Sequence, residues 1–353
     1  MTSRNQSLDV LRGIAVIAIM LPHYQLNPRM NVGMVGVDLF FVLSGFLISG
    51  LLFSELRNHG KISLRRFWVR RGFKIYPAFF FFVGLTAWLF VSLRRYLPVE
   101  LLFLQSYIEP KPTLWSHLWS LAVEEHFYFV LPILLVILAR IKKLNAIPAI
   151  ALALAVICLF LRWQYCERTQ LSYVHATHLR LDDLFAGVAL RYLYDQGRAW
   201  RSNYLLAAMI FIVPAFMRPS NAVEVAFTLT LNMIAFSSLL LWAVPRNLPG
   251  CGWLAEIGKH SYSIYLWQMV VSMFFHSRPL SLIGFAGYVV ISCAIGVAMS
   301  LIVEMPMLAI RERFIPTRRS RNYLLPASAD NSDSGKTAVR SHEGSAYLPQ
   351  PAN

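Results

Sequence analysis

The run VGVDLFFVLSGFLISGLLF, Val35–Phe53, decides what kind of protein this is. As a helix its 19 residues would rise about 28 Å, close to the thickness of a bilayer's hydrocarbon core. Its one ionisable side chain is Asp38. Nine further apolar runs surround it: Leu8–Tyr24 before, then Ile75–Leu93, Leu118–Leu138, Ile147–Leu161, Leu181–Leu193, Tyr204–Phe216, Val225–Val244, Ser261–His276 and Leu282–Met305. Of the 353 residues, 57% are hydrophobic and 14% charged, whereas soluble domains carry about 25% charge. That composition excludes a disordered chain, a coiled coil and a disulfide scaffold. The four cysteines, Cys158, Cys166, Cys251 and Cys293, have no CxxC or metal-ligand spacing, so neither a disulfide framework nor a metal site is expected. The predicted fold is all-α: a polytopic membrane protein with about ten transmembrane helices over 1–316, followed by a polar, disordered cytoplasmic tail over 317–353.

Charge orients the spans. The net charge is +15, but the excess sits in connections beside apolar runs, which fits membrane orientation better than nucleic-acid binding. With the N-terminus in the cytoplasm, 21 of the 33 Lys and Arg fall on cytoplasmic connections and nine on outer ones. Both termini are therefore expected inside. The first run carries Arg12 in its apolar stretch and has no small-residue cleavage site after it, so it reads as a span and not as a cleaved signal.

Ionisable groups inside spans cost at least ~2.5–3.5 kcal/mol at a helix centre and mark function when they face the bundle interior. Arg12 and His23 are eleven residues apart, which places them on one helix face about 16 Å apart; snorkelling and end-capping are the alternative roles. Asp38 opens the second span, as a reactive carboxylate or as an N-cap, and Ser44-Gly45 offers a notch for close packing. Ser120, Glu124 and Tyr128 share a face at i, i+4, i+8, and the adjacent carboxylates Glu124 and Glu125 are hard to explain as packing. Arg180 and Asp182 lie at an outer helix end, where a solvated pair is the simplest reading. Tyr262 opens a Tyr- and Trp-rich segment that also fits an interfacial belt. The basic stretch Arg65–Lys74 reads as an inner loop, serving charge sorting and lipid attraction or clamping a polyanionic cytosolic ligand. Topology and charge thus place His23, Asp38, Glu124 and Asp182 at outer ends, and Arg12 with the basic stretch at the inner side. A phosphate-bearing donor could dock below and present its reactive group to an outer acid–base cluster.

At these residues the chain resembles the acyltransferase-3 family, bacterial membrane O-acyltransferases acting on surface glycans. Six patterns recur in order: Ser7–Gly13 with His23, including an Arg-x10-His spacing; Gly36–Phe46; Phe67–Pro77; Trp119–Tyr128; Arg180–Gly187; and Gly258–Leu266. Lys74 stands where a second Arg is usual, His126 where Gln is usual, and Gln268 where a late His is usual. The resemblance implies ten spans in the bacterial inner membrane, acyl-CoA as cytoplasmic co-substrate with no tightly bound cofactor, and transfer of the acyl group, acetyl being the expected one, to a hydroxyl of a surface glycan or lipid-linked sugar. It implies Arg12 and His23 as the essential pair and Arg71 with Lys74 as the basic RxxR motif. The esterase-like domain that follows in some members has no counterpart here, so any later step is expected to belong to another protein or not to occur.

The expected mechanism follows. His23 is the general base on the acceptor hydroxyl, with Asp38 or Glu124 as its partner. Arg12 neutralises donor charge or stabilises the thioester oxyanion. Arg70, Arg71 and Lys74 hold donor phosphates. Trp119, Ser120, Arg180, Asp182 and Tyr262 are acceptor-side candidates. Ser44 is either a covalent relay or a packing residue, and packing is the preferred reading because the sequence shows no base near it. Acyl-CoA, the sugar acceptor and membrane lipids are the expected partners, and nucleic acid is not. Two rival readings are a secondary transporter using intramembrane His, Asp and Glu as a proton relay, although no internal repeat is visible, and a non-catalytic flippase partner or membrane sensor.

Overall fold

Lipid offers no partner to backbone N–H and C=O groups, so an apolar run that crosses it must satisfy them within a helix. The computed structural model describes residues 5–23, 32–109, 111–169, 174–197, 203–217, 221–246, 248, 250–275 and 281–316, and among these there is no strand. The helices are α1 (Gln6–His23), α2 (Val32–His59), α3 (Leu64–Leu89), α4 (Leu97–Leu101), α5 (Trp119–Arg140), α6 (Ile147–Thr169), α7 (Leu181–Asp195), α8 (Tyr204–Phe211), α9 (Ala222–Ala243), α10 (Gly252–Lys259), α11 (Ser261–Phe275), α12 (Leu282–Met299) and α13 (Met305–Phe314). A π-turn, Ser300–Glu304, joins the last two. All belong to one compact unit, Met1–Ile315; of the second unit, Pro316–Asn353, only Pro316 lies among the described residues. The expected tail over 317–353 therefore lies outside them.

Among the described residues, six helical segments are long and apolar enough to cross a membrane: Met34–His59, Leu64–Leu89, Thr113–Arg140, Leu144–Thr169, Ala222–Ala243 and Leu282–Phe314. The other expected runs hold α1, α7, α8 and α11, of 18, 15, 8 and 15 residues. One expectation changes form. The basic stretch Arg65–Lys74, read as a loop, is helical, because α3 starts at Leu64. Lys and Arg are good helix formers, so their charge says which side of the bilayer they favour and says nothing against a helix.

Helix α2 packs closely against α7. A Cβ on Gly45 would lie 1.9 Å from the Leu184 carbonyl oxygen, and one on Gly187 would lie 2.2 Å from that of Val42. Only glycine lets these backbones approach so closely. The notch read at Ser44-Gly45 is thus filled by the α7 backbone.

Side-chain bonds gather the connections into two ends. At one, Asn5 Nδ2 donates to the Val244 carbonyl (2.9 Å), Arg57 pairs with Asp195, and Arg70 pairs with Glu312 (2.7 Å). At the other, Ser106 and His126 both bond Thr177 (3.2 and 2.7 Å), and Lys111 bonds His175 (3.2 Å).

Candidate functional site

A cavity of about 540 Å³ opens between α1, α2, α3, α5 and α11. That is the size of a small-molecule site, for which ~300–1,000 Å³ is usual. The helical repeat decides what reaches it. Ser120, Glu124 and Tyr128, three side chains at four-residue spacing on α5, all line it, as do Arg12 of α1, Ser44 of α2 and Tyr262 of α11.

Its charges are unevenly matched. Arg12 is half-buried and makes no ion pair or hydrogen bond among the described residues. Arg71 lies over the rings of Tyr128 (5.5 Å) and Phe67 (5.9 Å), also without a carboxylate within ion-pair distance among those residues. Lys74 lines the cavity too, but its ammonium is paired with the buried Glu304. That carboxylate also accepts from Ser263 (2.8 Å). Arg70 does not line the cavity; it is held by Glu312 (2.7 Å) and by the Ile315 carbonyl. Of the three basic residues expected to grip a donor, Arg71 is thus the one left with charge to offer, and Arg12 joins it.

Glu124 is the cavity's central carboxylate. Its Oε1 accepts from the Ser44 hydroxyl at 2.5 Å and its Oε2 from the Tyr128 hydroxyl at 2.9 Å. Tyr128 also lies 3.4 Å from Ser44 Oγ. Next to it, Glu125 Oε2 accepts from Tyr76 at 3.0 Å. Above them the hydroxyls of Ser120 and Tyr265 meet at 2.6 Å, and Tyr262 donates to the Ile75 carbonyl at 2.9 Å. The sequence reading set Glu124 at an outer end, apart from Arg12; the structure puts both on one cavity. It also supplies what Ser44 lacked on paper, a carboxylate in hydrogen-bond contact.

Other expected site residues lie elsewhere. Asp38 is fully buried, paired with Arg180 and accepting from Asn232 at 2.8 Å. Arg180 is also 3.1 Å from Asp183 and packs on Phe41 and Trp119. Asp182 receives both arms of Arg162, at 3.0 and 2.7 Å. This network ties α2, α6, α7 and α9 together, and none of its charged members lines the cavity. Asp38 has one oxygen on Arg180 and the other on Asn232, and it does not line the cavity. Trp119 sits against His175, ring centroids 4.5 Å apart, outside the cavity as well. The backbone of His23 ends α1; its side chain lies outside the described residues.

Arg162, Asn232 and Glu304 were missed. Each is a polar group within an apolar helix, which was the available signal. A second signal was a shared spacing. Asp38 and Gly45 are seven residues apart, as are Arg180 and Gly187, and on these helices aspartate meets arginine as glycine meets glycine.

Two cations without ion-pair partners among the described residues, the carboxylates of Asp9, Glu124 and Glu125, and a file of hydroxyls line one cavity, and together they can hold an anionic donor and take a proton from a hydroxyl. No group of three His, Cys, Asp or Glu among the described residues is arranged for a metal ion. The comparisons agree with that chemistry. The chain is similar to "Putative O-acetyltransferase SACOL0978" of Staphylococcus aureus strain COL, 30% identical over 316 residues, covering 76% of this chain and 51% of that protein. It is similar also to O-acetyltransferase OatA of Staphylococcus aureus strain NCTC 8325, 29% identical over 312 residues with the same coverage. The chain thus spans about half the length of the curated relatives it matches. No solved structure matches it. A family model described as an acyltransferase domain matches residues 5–305, which is nearly the whole of the helical unit, and the chain therefore belongs to the acyltransferase-3 family.

Proposed function

We propose that this chain is a membrane O-acetyltransferase. It takes an acetyl group from acetyl-CoA on the cytoplasmic side and delivers it to a hydroxyl of a surface glycan or lipid-linked sugar on the other side. In this reading the chain crosses the bacterial inner membrane about ten times, with both termini cytoplasmic, and the shorter helices α1, α7, α8 and α11 complete the crossings. The names of the Staphylococcus aureus relatives, O-acetyltransferases, support acetyl as the group moved.

The observation that carries the reading is the pair of guanidiniums, Arg12 and Arg71, that face one cavity with Glu124 and have no ion-pair partner among the described residues. Unpaired cations in an apolar setting are costly, and an anionic ligand would offset that cost. The cavity suits the thioester arm, with the nucleotide phosphates toward the end where Arg70 lies. Glu124 accepts the proton of the reacting hydroxyl, and Arg12 or Arg71 stabilises the oxyanion. His23 keeps its place as a second base at the far end of α1. Family membership gives the transporter reading no support.

The test uses inverted membrane vesicles, acetyl-CoA labelled in its acetyl group, and the host's own glycan. Wild-type vesicles should form a labelled, base-labile ester on the glycan. Arg12→Ala should lower the rate by a factor of ~100 or more without changing the amount of folded protein. Full transfer by Arg12→Ala, or labelled substrate crossing the bilayer with no ester formed, would sink the reading.

A further inference from the structure

Serine and threonine inside a helix ordinarily turn back to the carbonyl one turn earlier. This protein does so repeatedly. Ser49 donates to Gly45 (2.7 Å), Thr86 to Phe82 (2.7 Å), Thr230 to Ala226 (3.1 Å), and Ser272 to Met269 (2.8 Å). Ser44 does not. From near the middle of α2 its hydroxyl crosses to a carboxylate 80 residues away in sequence, Glu124 Oε1 at 2.5 Å, with the Tyr128 hydroxyl 3.4 Å off. Tyr128 also holds the other oxygen of the same carboxylate (2.9 Å). The backbone beneath Ser44 is fixed, because Gly45 is pressed against the Leu184 carbonyl. A serine hydroxyl in contact with a carboxylate that a third group orients is the arrangement of an activated nucleophile. It faces a cavity that also holds Arg12 and Arg71.

We propose that Ser44 carries the acyl group as a covalent ester between donor and acceptor, with Glu124 as the base for both half-reactions. The proposal rests on the acetyl-transfer reading above and deepens it. In the first half-reaction Ser44 Oγ attacks the thioester carbonyl. The Oγ–C bond forms, the C–S bond breaks, and the hydroxyl proton passes to Glu124 and then to the departing thiolate. In the second, the acceptor oxygen attacks the serine ester. Its proton goes to Glu124, the Oγ–C bond breaks, and Ser44 recovers a proton from Glu124. The sum is thioester plus alcohol giving ester plus thiol, with no other reactant. A relay fits the location. A donor and an acceptor that arrive from opposite ends of the bundle need never be in the cavity together.

The full-length chain, purified in detergent, decides the matter with acetyl-labelled acetyl-CoA and no acceptor. Wild type should retain up to one acetyl per chain on the peptide that contains Ser44, and should exchange labelled free CoA into acetyl-CoA. Ser44→Ala should lose the adduct and the exchange and lower transfer to glycan at least 100-fold. Glu124→Gln should slow both half-reactions. Ser44→Cys, which keeps a nucleophile at the same place, should trap a thioester that neutral hydroxylamine cleaves, and this holds even where the alanine variant fails to fold. Transfer to glycan by wild type without adduct or exchange, or adduct on another residue, overturns the relay and leaves the acyltransferase reading standing. Absence of adduct, exchange and transfer alike in wild-type protein that is folded and given its host glycan overturns both.

Discussion

Asp38 and Ser44 belong to the same helix and meet opposite environments. They are six residues apart, so their side chains leave α2 about 120° from one another. Asp38 shares a face with Gly45 and looks into α7 and α9, where Arg180 and Asn232 receive it. Ser44 looks into the cavity, toward Glu124. In the first region three aspartates and two arginines are fully buried and set against one another, with the aromatic faces of Phe41 and Trp119 around Arg180. In the second, two arginines stay half-buried and lack ion-pair partners among the described residues, while the Glu124 carboxylate is held by hydroxyls alone. A buried charge with a partner is compatible with scaffold. A charge held open beside a cavity is compatible with a ligand. The two regions together show that ionisable residues inside spans are not all evidence for chemistry, and that pairing is what separates them.

The sharpest way to break this contrast is to remove Arg180. Truncating one member of a buried pair leaves the others uncompensated, at a cost of about 3–5 kcal/mol. Arg180→Met should therefore lower the melting temperature of detergent-solubilised protein steeply, and transfer should fall only as far as folded protein does. The double replacement Arg162→Met with Asp182→Leu removes a whole pair and should cost much less than either single change. An Arg180→Met protein that melts normally yet transfers nothing would move this network from scaffold to chemistry.

Next in size is the effect of Arg71. Arg71→Met should leave melting close to wild type while transfer drops by ~10²–10³, the usual loss when one oxyanion or anion contact is removed (about 2.7–4 kcal/mol). Arg70→Met should do less to transfer, because Glu312 already occupies that side chain and it stands off the cavity. Equal kinetic losses in the two variants would mean that the basic stretch acts as one undivided patch, and the distinction between paired and unpaired cations would fail.

How much of this was legible follows from the range of each signal. Hydropathy is local, and it marked the apolar runs as helices. Leu181–Leu193 and Tyr204–Phe216 are the two shortest of those runs, and α7 and α8 there have 15 and 8 residues. Periodicity is nearly as local, and it put Ser120, Glu124 and Tyr128 on one face, which the cavity uses. Partnership is not local. Whether Asp38 serves a reaction or a salt bridge depends on Arg180, 142 residues on, and whether Ser44 has a base depends on Glu124, 80 residues on. Lys74 reads as a phosphate ligand until Glu304, in the middle of Leu301-Ile-Val-Glu-Met305, is seen to hold it. The basic stretch misled on conformation for a related reason: charge reports the preferred side of a bilayer, while helix formation there depends on propensities that Arg and Lys satisfy.

The smallest expected effect concerns a third kind of cluster, in the connections at the end opposite Arg70, where Glu100 is buried and His175 half-buried. Burial, helped by the neighbouring Lys111, pushes the His175 imidazole down from its ordinary 6.5 to about 4, although Glu109 opposes the shift. Burial pushes the Glu100 carboxyl up from 4.5 to about 8, against the pull of the same lysine. Their contributions to stability run in opposite directions. His175 is neutral when folded and protonates on unfolding below pH 6.5, so its contribution is complete above 6.5 and is lost as pH falls toward 4. Glu100 is protonated when folded and ionises on unfolding above pH 4.5, so its contribution is complete below 4.5 and is lost as pH rises toward 8. Between 4.5 and 6.5 the folded and unfolded chains hold the same number of protons on this pair, and the two slopes cancel. Above 6.5 only Glu100 acts, and stability should fall by at most about 2 kcal/mol up to pH 8. Melting curves across pH 4.5–8 should therefore be flat and then decline. Glu100→Gln should remove the decline and uncover a loss on acidification; His175→Gln should make stability fall steadily from pH 4.5 to 8. A wild-type profile that rises between pH 6.5 and 8, with neither variant altering it, would show that these two groups do not govern this end of the bundle.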